Sequence, residues 1–443
     1  MIRKSMLGMA AIASRVISPR RQGIGRDGMR IGVSILALGL ALTAPIAGVQ
    51  GRPASAPEGG STGCPWRTAW ASAQMLPDAA NALPAGALAN GTLRQIVRPS
   101  IGGTQLRVRF SNIFGKTPLR IGGATLARSA DNARSDIMPA TLRPLRFAGN
   151  ASAVIPPGGE WLSDPLDWAF GAFDDLAVSV HVLADPDGQT SHPGSRATSY
   201  VARGDATAAA SLPDATSVDH WYLLSGIEVA SCAARGGIVV LGDSITDGRG
   251  STTNGNDRWT DFLARRLAGK VAVINQGIGG NRVLIDGLGP SAMARLDRDL
   301  LAQPGIAHAI ILEGINDIGG LTREKPASPD AHRALVEQVT GAYAQIVARA
   351  RARGIKVHGA TILPFMSNEY YHPRAATEAD RQAINAWIRT PGHFDSVIDL
   401  DRVMRDPARP AYLNPAYDTG DGLHPNPAGF RAMAEAVPLA LFE

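Results

Sequence analysis

The spacing of apolar residues changes once along the chain, near residue 236, and that change separates two kinds of architecture. Before it, short runs alternate with period two: Leu106, Val108 and Phe110 are separated by arginines, and the LAVSVHV run at 176–182 behaves the same way. Alternating runs broken by Gly, Pro and Asp turns predict an antiparallel β-sandwich over about 65–232. After it, strand-like runs (GIVVL, KVAVIN, HAIILEG, KVHGATILPF, SVIDL) alternate with helical stretches over 236–443. That order predicts a parallel sheet covered by helices on both faces. One helix is well punctuated, with Ser328 as cap, Pro329 in the first turn, and apolar residues from Leu335 to Val347 at helical spacing before Gly354. Trp259, Phe262, Leu263 and Leu267 have the spacing of one buried helical face, a packing role.

The first 56 residues stand apart. An apolar run at 31–49 follows a leader containing Arg20, Arg21, Arg26 and Arg30, and Ala54-Ser55-Ala56 offers a small-residue cleavage site. This reads as a secretory signal, with Met29 as an alternative start and an uncleaved anchor as the other reading. Residues 57–64 read as a linker. The leader carries eight basic residues and one acid, a net +7 against +5 for the whole sequence, so the remainder is −2. The high pI therefore belongs to the leader, and no basic cluster elsewhere fits nucleic acid. Export, to the periplasm or outside the cell, would let Cys64 and Cys232 pair and staple the two ends of the predicted sandwich. Two unpaired thiols are the alternative.

In an open parallel sheet, ligands bind beyond the carboxyl ends of the strands. Three polar stretches lie at such ends: Gly242-Asp243-Ser244, the NQGIGGN block at 275–281, and Gly314-Ile315-Asn316-Asp317. A fourth, Asp421-Gly422-Leu423-His424, precedes a closing helix with Asn426 as cap and Pro427 in its first turn. Taken singly, each has a plain reading: a capping serine, a tight glycine loop, a turn, a surface pair. Asp243 reads as a turn-holding residue, and the other histidines, from His181 to His393, give no signal of chemistry.

Together the four blocks resemble, in order and spacing, those of the SGNH (GDSL) esterase and lipase family, over about 236–443. The resemblance implies a three-layer α/β/α, flavodoxin-like hydrolase domain behind the β-sandwich. It implies Ser244 as nucleophile, His424 as general base, Asp421 as the residue orienting His424, and an oxyanion hole from the Ser244 and Gly280 backbone N–H groups and the Asn316 amide. Gly280 is preferred to Gly277 or Gly279 because it lies five residues after Asn275. No cofactor or metal is implied, since HExxH, CxxC and phosphate-loop patterns are all missing from the sequence. Gly59-Gly60-Ser61-Thr62-Gly63 spells G-x-S-x-G but has no strand before it.

The expected activity is ester hydrolysis through an acyl-enzyme, on small or polysaccharide esters. A sandwich ahead of such a domain is similar to the layout of some carbohydrate esterases that remove acetyl groups. Short-chain lipids or aryl esters are the alternative substrates; a glycan-binding protein with an inactive hydrolase domain and an acyltransferase are the alternative functions. The aromatic segment at 365–376 is either a pocket wall or a surface loop. For residues 65–232 three roles stay open: binding glycan, covering the active-site mouth, or only stabilising the neighbouring domain.

Overall fold

The computed structural model describes residues 63–443. The leader, its cleavage site and most of the linker lie outside them.

The first part forms two large antiparallel sheets. One contains Trp66–Ala71, Leu224–Ala230, Gly103–Ser111 and Glu160–Leu162, with Leu166–Phe170 also paired to Gly103–Ser111. The other runs Thr216–Val218, Ser199–Arg203, Gly91–Val97, Leu176–Val182, Leu119–Arg128 and Arg143–Pro144, with Ala153–Ile155 also on Leu119–Arg128. Period-two patterning explains how they pack. In Leu176–Val182, Leu176, Val178, Val180 and Val182 enter the main core, while Ala177 faces a second cluster with Ile96, Tyr200 and Leu212.

The second part is a five-stranded parallel sheet: β1 Gly237–Gly242, β2 Val273–Gly277, β3 Ile306–Leu312, β4 Lys356–Ala360 and β5 Ser396–Ile398. Its order is β2-β1-β3-β4-β5. The order reverses between β1 and β3, the switch point where such sheets open a crevice. Helices cover both faces; Trp259–Arg266 packs with Pro427–Glu435, and Pro329–Arg351 with Ala375–Arg389. Ser328 caps the long helix from its side chain onto Ala331 N–H, and Asn426 caps the closing helix onto Gly429 N–H. Two strand ends differ from the sequence pattern. β2 continues through Asn275 and Gln276 to Gly277, and β4 stops at Ala360, leaving 361–365 as irregular chain.

Both parts belong to one compact unit and share one apolar core, which runs from Trp70, Val108 and Val180 through Ile274 and Val240 to Phe430. Polar contacts join them: Thr68 N–H donates to Pro304 O at 2.9 Å, and Val273 N–H to Ser100 Oγ at 2.9 Å. Cys64 and Cys232 are disulfide-bonded, with Cα atoms 4.8 Å apart, and so close the ends of the antiparallel part on each other.

A bond spanning 168 residues restricts the unfolded chain strongly. Replacing both cysteines by serine is expected to lower stability by about 2–5 kcal/mol, read from urea unfolding of the two proteins side by side. Equal unfolding midpoints would rule out this contribution.

Candidate active site

Parallel pairing brings three strand ends level. Gly242 is opposite Gly277 on one side and Leu312 on the other, so the residues that follow β1, β2 and β3 emerge at one edge. The chain turns directly from β1 into a short helix, Ser244–Asp247, whose N-cap is Asp243. Asp243 Oδ1 accepts from Ile245 N–H at 2.9 Å, so Asp243 has the turn-holding role that the sequence implies. Gly277 is required by close approach: a Cβ there would overlap the Asp247 backbone.

Ser244 Oγ lies 2.8 Å from His424 Nε2, and His424 Nδ1 lies 2.6 Å from Asp421 Oδ2. A carboxylate at Nδ1 requires that nitrogen to carry the proton, leaving Nε2 to accept from the serine hydroxyl. The spacing of three residues is what makes the second contact. Asp421 Oδ1 also accepts from the Leu423 and His424 backbone N–H groups, at 3.0 and 2.8 Å, so one turn fixes acid and imidazole together. Burial pushes the Asp421 carboxyl up. The hydrogen bonds from the His424 ring and backbone outweigh it and hold the group well below the ordinary carboxylate range.

Asn316 lies just inside the helix Ile315–Thr322 that follows β3 and is buried. Its Nδ2 donates to Asn281 O at 2.7 Å, and its Oδ1 accepts from Tyr371 O–H at 2.6 Å. These two contacts fix which way the amide faces and leave one N–H hydrogen free for a ligand. Ser244, Gly280, Asn316, Asp421 and His424 all line one cleft of about 840 Å³. The structure thus brings together every residue named for the site.

Three further residues support the site; Arg295 and His192 gave no sequence signal, and Asp317 stood in the third block without an assigned role. Arg295 is fully buried beneath the strand ends; it donates to Gly242 O at 3.0 Å, to Gln276 O at 2.6 Å and to Asn281 Oδ1 at 2.8 Å. Asp317 accepts from Val283 and Leu284 N–H at 2.8 and 3.1 Å, holding the loop that follows Gly280. Burial pushes its carboxyl up to about 6. His192, from the antiparallel part, places Nε2 2.9 Å from Asp247 Oδ1, at the far end of the Ser244 helix. Tyr371 belongs to the aromatic segment 365–376, and that segment is a cleft wall: Ser367, Asn368, Tyr370 and Tyr371 all line it.

Residues 240–432 match the GDSL-like Lipase/Acylhydrolase family. The chain carries a GDSL-like acylhydrolase domain. Carboxylic ester hydrolysis is therefore its reaction class. Solved structures similar to it include a GDSL-like lipase from Bacteroides thetaiotaomicron, at 22% identity over 46% of this chain and 86% of that one, with a TM-score of 0.36. An acetylxylan esterase from Geobacillus stearothermophilus, studied as a catalytic mutant, is 20% identical over 46% of this chain and 93% of that one, with a TM-score of 0.36. Neither likeness bears on the substrate. No curated protein matches the chain. Among the described residues, no cluster of three or more His, Cys, Asp or Glu is placed to hold a metal ion, and no helix is long and apolar enough to cross a membrane.

The Tyr371–Asn316 bond makes a graded expectation for the acylhydrolase domain. Asn316→Ala should lower kcat by about 10²–10³, whereas Tyr371→Phe, which only frees the amide to turn, should lower it less. Steady-state kinetics on one soluble ester checks this; a larger loss in Tyr371→Phe than in Asn316→Ala would contradict it.

Proposed function

We propose that this is an exported serine ester hydrolase that removes short acyl groups, acetyl above all, from polar alcohols such as carbohydrates. The observation that carries the mechanism is the continuous path from Ser244 Oγ through the His424 ring to Asp421, at 2.8 and 2.6 Å, on the wall of the cleft that also holds Asn316.

Ser244 Oγ attacks the ester carbonyl carbon while His424 Nε2 takes its proton. Asp421 stabilises the imidazolium that results. The carbonyl oxygen, now negative, receives hydrogen bonds from the Ser244 and Gly280 N–H groups and from Asn316 Nδ2. Ser244 N–H is suited to this because the first N–H groups of a helix have no acceptor within it. The intermediate expels the alcohol, which takes the proton from His424. Water then attacks the acyl-enzyme by the same route, with His424 again as base, and releases the acid.

The lining of the cleft supports a polar alcohol. Apolar side chains on the cleft, such as Met75, Leu288 and Leu423, are interspersed with Asn81, His220, Asn368 and Tyr370. That lining offers hydrogen-bonding groups to a hydroxylated alcohol. Export is supported by the Cys64–Cys232 bond, which suits an oxidising compartment.

The deciding experiment compares p-nitrophenyl acetate, butyrate and octanoate as substrates, with acetylated xylan as competitor, for wild type and Ser244→Ala. Expected are rates that fall with chain length, competition by the polysaccharide, and loss of activity in Ser244→Ala. Preference for octanoate would favour lipids, and inactivity of the wild type on every ester would overturn the hydrolase mechanism.

The pH dependence follows from Asp421. Its folded value is depressed, so the stabilisation it gives is present above the ordinary carboxylate range and is lost only as pH falls through the folded value. Asp421 therefore stays ionised across the working range and is expected to add no protonation of its own to the acid limb of kcat/KM. A limb that needs two protonations would contradict this, and Asp421→Asn should cost about 10⁴ in kcat.

A further inference from the structure

The catalytic cleft has walls of two origins. One is the parallel-sheet part with Ser244, Asn316 and His424; the other is the antiparallel part, which contributes Asn81, Pro193, Gly194, Arg196 and His220. Arg196 is unusual in this second wall. It holds φ +48°, a left-handed conformation that crowds the Cβ of any residue other than glycine. Its Nε is buried without a hydrogen-bond partner, and its guanidinium enters no ion pair among the described residues.

The backbone around Arg196 is clamped to the segment that follows the nucleophile. His192 bonds Asp247 and, through Nδ1, Ala73 O at 2.7 Å. Arg258 donates to Ser195 O. Asn254 N–H donates to Arg196 O at 2.8 Å, and Thr198 N–H donates to Asn254 Oδ1 at 2.8 Å. Gly194 completes the clamp, because a Cβ there would overlap the Asp247 carboxylate. Such a scaffold holds an unfavourable backbone conformation in place, and strained residues of this kind concentrate at ligand-binding positions.

A second cation, Arg249, lies five residues beyond Ser244 on the same cleft, exposed and in no ion pair among the described residues. Most acids of the cleft are already engaged. Asp247 faces His192, Asp421 faces His424, and Asp78 Oδ1 accepts from Ala80 N–H and from both the backbone and side-chain amides of Asn81. Glu369 is the carboxylate of the lining with no such partner among the described residues.

We propose that Arg196, assisted by Arg249, binds a carboxylate carried by the ester substrate beyond its scissile bond, and so sets specificity; this rests on the esterase reading above. A guanidinium that lines the cleft without an acid to pair with is available to a charged acceptor, and its planar fork matches a carboxylate through two parallel bonds.

Two matched pairs of esters test this and show which side of the ester carries the charge. Mono-4-nitrophenyl glutarate against 4-nitrophenyl butyrate places it on the acyl side; 4-acetoxybenzoate against phenyl acetate places it on the alcohol side. In at least one pair the wild type should favour the anionic member by about tenfold in kcat/KM, mostly through KM. Arg196→Met should bring that ratio to about one, and Arg196→Lys, which keeps the charge without the fork, should fall between. Arg249→Met should lower the ratio less. Preference for the neutral member in both wild-type pairs would overturn the proposal, as would Arg196→Met lowering both members equally. Cleavage of the neutral esters by wild type and not by Ser244→Ala tests the esterase reading separately.

Discussion

The site depends on one buried cation. Three parallel strands end side by side, and each must deliver a loop at a fixed height for Ser244, Gly280 and Asn316 to face one space. Arg295 ties these ends together by donating to Gly242 O, Gln276 O and Asn281 Oδ1. Its charge is met from the same region, by Asp299 at 3.0 Å and Glu313 at 3.4 Å. The acids around it outnumber it, and burial decides the outcome. Burial raises the Glu313 carboxyl well above its ordinary range, with nearby Asp243 adding to the effect, and it pushes Asp243 up to about 7. Both shifts have one cause, the cost of gathering negative charge in a dry interior. Removing one partner of such a buried set typically costs several kcal/mol, about 3–5 for a single pair, so Arg295 supports the catalytic geometry without touching the substrate.

A second constraint joins the two halves of the molecule. The core passes without a break from the antiparallel sheets into the parallel one, and His192 reaches across to Asp247 at the end of the four-residue helix that begins at Ser244. So short a helix has little stability of its own. Its position follows from what holds each end: Asp243 and the β1 turn at the start, His192 and Arg258 at the finish, Arg258 Nε donating to Asp247 O at 3.2 Å. The antiparallel part is thus integral to the candidate site, supplying one wall of the cleft and a brace for the helix that begins at Ser244. Of the three roles the sequence leaves open for it, covering the mouth of the site and stabilising its neighbour both have contacts behind them.

What could be read from the sequence was local. Asp421 and His424 are three apart, so a single turn places both, and Ser244, Gly280 and Asn316 each follow a strand whose apolar run marks its end. Caps at Ser328 and Asn426 were legible for the same reason, since the capping contact spans three residues. Contacts between distant segments left no pattern. His192 resembled any other histidine, because its partner lies 55 residues away. Arg295 sat unremarked in a helical stretch although its partners extend from Gly242 to Glu313, and Tyr371 showed only as one aromatic among several. The end of β2 was misplaced because Asn275 and Gln276 are polar. Within a sheet Asn275 is nonetheless accommodated, its amide donating to Thr246 O at 2.6 Å and Thr260 Oγ1 at 2.9 Å.

This division between local and long-range information bears on how selectivity is built. The proposed chemistry needs a serine, an imidazole, a carboxylate and N–H donors, and short blocks at three strand ends and before the closing helix supply them. Recognition of what surrounds the ester must come from groups farther out, and on this cleft those groups include loops of the antiparallel part, the segment 367–371 and Arg249. Change there alters the alcohol or acid that fits without disturbing Arg295 or the strand ends it ties. The rigid tie at the base of the cleft and the separate wall above it let the reaction stay fixed while the substrate varies.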